Sequence, residues 1–116
     1  MKHLPLVLFC ILIFFFIKKR FFDNTDYRAI LNSGGIIIDV RSGSEFLTGN
    51  IENSVNIPLA EIPSSLNRFN DKNQPIITCC ASGIRSAAAK KIFITKGYTN
   101  VINGGGWRAL QNKIID

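Results

Sequence analysis

Residues Cys80-Ala81-Ser82-Gly83-Ile84-Arg85-Ser86 put a thiol, a permissive glycine, a guanidinium and a hydroxyl within seven positions. A thiol becomes a useful nucleophile where its thiolate is stabilised by nearby positive charge or N–H donors. The flanking sequence supplies such a setting. Ile76-Ile77-Thr78-Cys79, led by Pro75, reads as a buried strand, and Ser86 to Lys96 reads as a helix closed by Gly97. Cys80 therefore falls at the carboxyl end of a strand, with a helix beginning about five residues later. Open α/β sheets bind ligands at that place.

The loop suits an anion. Its backbone N–H groups and the positive end of the next helix both favour negative charge, lowering a thiol pKa and cradling an anion such as thiosulfate or a persulfide sulfur. Ala81 and Ser82 are small, and Gly83 accepts positive φ, so the chain can curl around its own sulfur. Arg85 offers a planar donor fork for sulfonate or phosphate oxygens, and Ser86 can cap the helix. The bland alternative is a buried cysteine in an ordinary strand-to-helix turn, with Arg85 a solvated surface residue. His3 is the only histidine and lies at the start of the chain, so no Cys–His dyad forms with Cys80. Activation then falls to backbone dipoles and Arg85.

Cys79 alternates to the opposite strand face from Cys80 and reads as a small core residue, with a vicinal disulfide or a resolving role as lesser alternatives. Adjacent cysteines cannot staple a fold, because a useful disulfide closes a long loop. One reactive thiol is the natural reading, and no metal or cofactor is expected.

The elements around the loop define the class. Asn24 or Thr25 can cap a short helix with Tyr27, Ile30 and Leu31 on one face. Ile36 to Val40 is a β-branched strand, and Ser42-Gly43-Ser44 opens a helix through Glu45-Phe46-Leu47. Ser54 to Ile57 is a second short strand stopped by Pro58. Leu59 to Phe69 is a helix interrupted or begun by Pro63. Val101-Ile102 is a further strand, Gly104-Gly105-Gly106 a flexible turn, and Trp107-Arg108-Ala109-Leu110 the start of a last helix. Alternating strands and helices predict an α/β domain with a mainly parallel sheet over residues 23–116.

Residues 1–22 differ in character. Leu4 to Ile17 is uncharged for 14 residues and is followed by Lys18-Lys19-Arg20. No small-residue cleavage site follows, and Leu8-Phe9 before Cys10 is wrong for lipid attachment. The expectation is an N-terminal hydrophobic helix acting as a single-pass membrane anchor through residues 4–22, although 14 helical residues reach only about 21 Å of a roughly 30 Å core. Snorkelling lysines, the interfacial Phe21 and Phe22, and local thinning would supply the difference. Three basic residues after the segment favour a cytoplasmic domain, with the periplasmic or extracytoplasmic face as the alternative.

The formal charge of +6 belongs mainly to this segment. Beyond it stand ten basic and eight acidic residues, a net of +2, and no basic stripe interleaves with aromatics. Nucleic acid is not an expected partner.

Taken together, these motifs resemble the rhodanese family over about residues 24–112. Ile38-Asp39-Val40-Arg41, Glu45-Phe46 and Gly49-x-Ile51 resemble its opening strand and helix, and Asn53-Ser54-x-Asn56-Ile57-Pro58 its second strand. Cys80-Ala-Ser-Gly-Ile-Arg85-Ser86 matches its active-site loop, while Gly97-Tyr98-x-x-Val101 and Gly104-Gly105-Gly106-Trp107 resemble its closing portion. Related phosphatases carry one more residue between cysteine and arginine, so the shorter loop here implies room for one added sulfur rather than a phosphoryl group.

The resemblance implies a small rhodanese-like fold and a sulfurtransferase. Cys80 would take a sulfane sulfur from a small sulfur-containing anion or persulfide donor and pass it to a thiol acceptor or cyanide, with Ala81 to Ser86 forming the substrate cradle. Two other functions compete: a persulfide carrier or interaction module with little activity alone, and a phosphatase or arsenate reductase using the same cradle. Cys79 stands where the family often has an aromatic residue, and Asn50 where it often has histidine. Asp39 and Arg41 read as structural, Arg41 pairing with Glu45 or bracing the loop, and Trp107 as a packing residue.

Overall fold

The computed structural model describes residues 4–21 and 24–115. Helix α1 (Leu4–Phe21) holds the apolar run and its basic flank. Then follow α2 (Tyr27–Asn32), β1 (Ile36–Asp39), α3 (Gly43–Leu47), β2 (Val55–Asn56), α4 (Ile62–Ser65), β3 (Ile76–Cys80), α5 (Ile84–Thr95), β4 (Val101–Gly106) and α6 (Trp107–Ile114). The four strands are all parallel and lie in the order β2-β1-β3-β4. This is the expected rhodanese-like α/β architecture.

Period-2 alternation divides the core between the two faces of the sheet. Ile36, Ile38 and Val40, with Ile76 and Cys80, pack beneath α4 and α5 against Ile62, Ala89 and Phe93. Ile37, Ile77 and Cys79 face the other way, against Tyr27 of α2 and Leu110 of α6. Ile38, Ile76 and Ile77 are no more than 1 % exposed. Each contributes about 1.5–3 kcal/mol by burial, which anchors the two central strands carrying the site.

The strand order creates the crevice. From β1 the chain crosses to β2 on one side, while β3 lies on the other side of β1 and leads outward to β4. The carboxyl ends of β1 and β3 therefore flank the switch point, where the connections diverge and a ligand has room. Arg41 and α3 leave one of these ends, and the Cys80 loop leaves the other.

Several local expectations change. Asp26, rather than Asn24 or Thr25, caps α2, its carboxylate accepting the Ala29 N–H at 3.0 Å. The Leu59–Phe69 helix is three short pieces, a 3-10 turn at Leu59–Glu61, α4, and a second turn at Leu66–Arg68. Pro63 lies in the first turn of α4, where its missing N–H costs nothing, so it begins a helix there rather than extending one. Helix α5 starts at Ile84, two residues early, which places Ser86 inside it. Gly104-Gly105-Gly106 is not a flexible turn but the end of strand β4.

Among the described residues, no helix is long and apolar enough to cross a membrane. Helix α1 has 18 residues, but Lys18, Lys19 and Arg20 occupy its last turn and leave only the 14-residue uncharged stretch. The structure gives the expected membrane-spanning anchor over residues 4–22 no support, and Phe22 lies outside the described residues.

Candidate active site

Cys80 ends β3, and the chain turns back on its sulfur. Gly83 adopts φ +97°, a left-handed conformation that a side chain would strain. The turn aims two N–H groups at Sγ, Gly83 at 3.0 Å and Ser86 at 3.4 Å. The residue is only 1 % exposed. Burial by itself pushes the thiol pKa up, but hydrogen bonding from the Ser86 side chain and from the N–H groups of Ser86, Ser82 and Gly83 outweighs it. The Cys80 pKa is thus lowered below the ordinary value. Cys79, turned to the other face, has no such donors: burial, then the charge of Asp39, pushes its thiol up to about 12. It is a core residue, and both domain thiols are free.

Ser86 does more than the helix cap expected of it. Its hydroxyl is buried 3.4 Å from Cys80 Sγ and donates to Asn103 Oδ1 at 2.6 Å. One hydroxyl carries one proton, so it cannot donate to both at once. With a thiol at Cys80 the S–H can point at Ser86 while Ser86 serves Asn103; with a thiolate the Ser86 proton can swing to sulfur. Asn103 also donates from Nδ2 to the Gly83 carbonyl at 3.1 Å and accepts the Gly105 N–H at 2.9 Å. It ties β4 to the loop. Sequence reading missed Asn103, because nothing local distinguishes it from any strand asparagine.

The glycine run explains itself here. A Cβ on Gly106 would stand 2.9 Å from the Ala81 carbonyl oxygen, so β4 must be bare where the loop crosses it.

Arg85 does not stand free over the sulfur. Its guanidinium pairs with Glu45 of α3, Nη1 to Oε1 at 2.7 Å and Nη2 to Oε2 at 3.0 Å. Glu45 also accepts the Ser42 N–H, completing a capping box on α3. Arg85 first, and then Ser42, hold the Glu45 carboxyl well down, to about 2. Arg41 corrects a second expectation, since its ion-pair partner is Asp39 at 2.7 Å, with both side chains buried. It reaches α3 through the Glu45 carbonyl at 3.2 Å and the turn after that helix through the Gly49 carbonyl at 2.7 Å, and it lies 4.7 Å from the Trp107 ring. Arg41 thus fixes α3, α3 presents Glu45, and Glu45 holds Arg85.

Of the seven loop residues, Gly83, Ser86 and, through its N–H, Ser82 serve the sulfur. Ala81 and Ser82 form an exposed rim, and Ile84 is 78 % exposed, its side chain in solvent. A separate cavity of about 520 Å³, lined in part by Gly35, Ile36 and Ile114, lies at the amino end of β1. It is at the opposite end of the sheet from Cys80, and no thiol or hydroxyl side chain lines it. No group of three or more His, Cys, Asp or Glu positioned for a metal occurs among the described residues.

A strand-end thiol inside a ring of N–H donors occurs in more than one chemistry, so comparison with known proteins decides the family. The rhodanese-like domain matches residues 23–113. The chain belongs to this family. The rhodanese-like domain is 36 % identical over 70 residues to the thiosulfate sulfurtransferase PspE of Escherichia coli K12, covering 60 % of this chain and 67 % of that protein. Among solved structures, it is similar to a rhodanese with anions from E. coli, with a TM-score of 0.61 and 33 % identity over 64 % of this chain and 88 % of that one. It is also similar to the human single-domain sulfurtransferase TSTD1, with a TM-score of 0.66 and 27 % identity over 75 % and 90 % of the two chains. Sulfur transfer is the chemistry these relatives share by name.

Proposed function

We propose that this rhodanese-like domain is a sulfurtransferase that carries one sulfane sulfur on Cys80. The observation that supports this reading most is the Gly83 N–H at 3.0 Å from Cys80 Sγ, backed by the Ser86 N–H, in a loop closed around the sulfur. In the first half-reaction the Cys80 thiolate attacks the outer sulfur of a donor such as thiosulfate. An S–S bond forms, the donor's S–S bond breaks with its electron pair going to sulfite, and Cys80 keeps a persulfide. In the second, a thiolate or cyanide attacks the outer sulfur, and the pair returns to Cys80 Sγ, where the same N–H groups receive it. This is covalent catalysis in two steps, so ping-pong kinetics follow.

The near-complete burial of Cys80 fits a one-atom cargo better than a phosphoryl group. A similar solved structure is a rhodanese with anions from E. coli, which fits a reading in which this domain takes an anionic donor. Pairing of Arg85 with Glu45 leaves that cradle to rely on backbone donors. The full chain should yield thiocyanate from thiosulfate and cyanide, and Cys80→Ser should not. Undiminished turnover in Cys80→Ser would overturn the proposal.

A further inference from the structure

Beside the loop lies a hollow of about 290 Å³ lined by Arg41, Glu45, Thr48, Ala81, Trp107 and Arg108. Ala81 follows Cys80 in the chain, so this hollow opens beside the loop that carries the sulfur. Its size is at the small end of ligand sites and suits a molecule of a few heavy atoms.

The charges in it are unequal. Arg41 is neutralised by Asp39, and Glu45 by Arg85. Arg108 is exposed, its guanidinium 5.3 Å from the Trp107 ring, and among the described residues no carboxylate pairs with it. The only uncompensated charge in the hollow is therefore positive. It sits on a planar donor fork steadied by an indole, which suits a carboxylate. Thr48 does not compete for that carboxylate, because its hydroxyl already donates to the Glu45 carbonyl at 2.6 Å.

We propose that this hollow is the docking site for a sulfur acceptor, a small thiol bearing a carboxylate, with Arg108 pairing the carboxylate. The inference rests on the sulfurtransferase reading above. The acceptor thiolate attacks the outer sulfur of the Cys80 persulfide. A new S–S bond forms on the acceptor as the bond to Cys80 Sγ breaks, and the electron pair stays on Cys80. No oxidant or reductant is consumed. Arg108 selects which thiol arrives and holds its carboxylate end away from the sulfur.

The full chain, with thiosulfate as donor, tests this using 3-mercaptopropionate against uncharged 2-mercaptoethanol. Arg108→Gln should lower the kcat/KM ratio of the first to the second about tenfold, mainly through KM, and Arg108→Lys should restore part of it. A ratio unchanged in Arg108→Gln, with both thiols still consumed, would overturn the acceptor site and leave the sulfurtransferase reading standing. If neither thiol nor cyanide draws sulfur from the wild-type chain, the sulfurtransferase reading falls and the acceptor site with it.

Discussion

Arg85 and Glu45, forty positions apart, meet through two parallel hydrogen bonds of 2.7 and 3.0 Å. The pair joins the first turn of α5 to α3, and so links the two chain segments that leave the switch point. Both side chains are more than a third exposed, so the pair does little for overall stability. Its effect is positional. Glu45→Gln should lower kcat/KM for thiosulfate by roughly tenfold while moving the thermal midpoint by only a few degrees. Parallel turnover and melting measurements check this; a large melting loss with normal turnover would contradict it.

The pH dependence of that bridge follows from its sign. The folded pKa of Glu45 is depressed to about 2, so its contribution is complete above the ordinary carboxylate pKa near 4.3 and is lost as pH falls through about 2. The ratio of wild-type to Glu45→Gln activity should therefore stay flat from about pH 5 upward. A pH series on both proteins reads it directly.

Cys80 should react as a thiolate below the pH at which an ordinary cysteine does, because its pKa is lowered. Alkylation by iodoacetamide, followed by peptide mass mapping to separate Cys80 from the exposed Cys10, should show a midpoint below that of a free thiol. Ser86→Ala removes one donor to the thiolate and should raise that midpoint.

Cys79 should be silent. With its thiol pushed up to about 12 and its side chain in the core, Cys79→Ala should keep full sulfur transfer, and the roughly 32 Da adduct should map to Cys80 alone. Adduct on Cys79, or loss of turnover in Cys79→Ala, would give it a chemical role.

Gly106→Ala tests the crossing of loop and strand. Gly106 has an ordinary φ of −68°, so no backbone strain is introduced, and the new methyl meets the Ala81 carbonyl at 2.9 Å. The chain must shift by a few tenths of an ångström, at a cost of about 1–3 kcal/mol. Chemical denaturation should show that loss, and sulfur transfer should fall with it because Ala81 adjoins Cys80.

Local sequence was enough for the strands and for the thiol. The β-branched runs Ile36–Asp39 and Ile76–Cys80 can only be buried strands in so small a chain, and period-2 alternation sends Cys79 and Cys80 to opposite faces. Gly83 between a strand and a helix announces a tight turn at the sulfur, and it makes one. What neighbours in sequence cannot tell is which distant group answers each charge and each hydroxyl. Arg85 reads as a free cation until α3 brings Glu45 to it. Arg41 reads as a partner of Glu45 until strand β1 turns Asp39 onto its guanidinium. Ser86 reads as a cap until helix α5 begins two residues early and buries its hydroxyl between Cys80 and Asn103. Those pairings depend on parallel strand order and on where helices start, and both are settled by packing over the whole sheet. Local residue order put a thiol at a strand end before a tight turn; packing decided that the donors facing its sulfur are backbone N–H groups, with Arg85 held aside by Glu45.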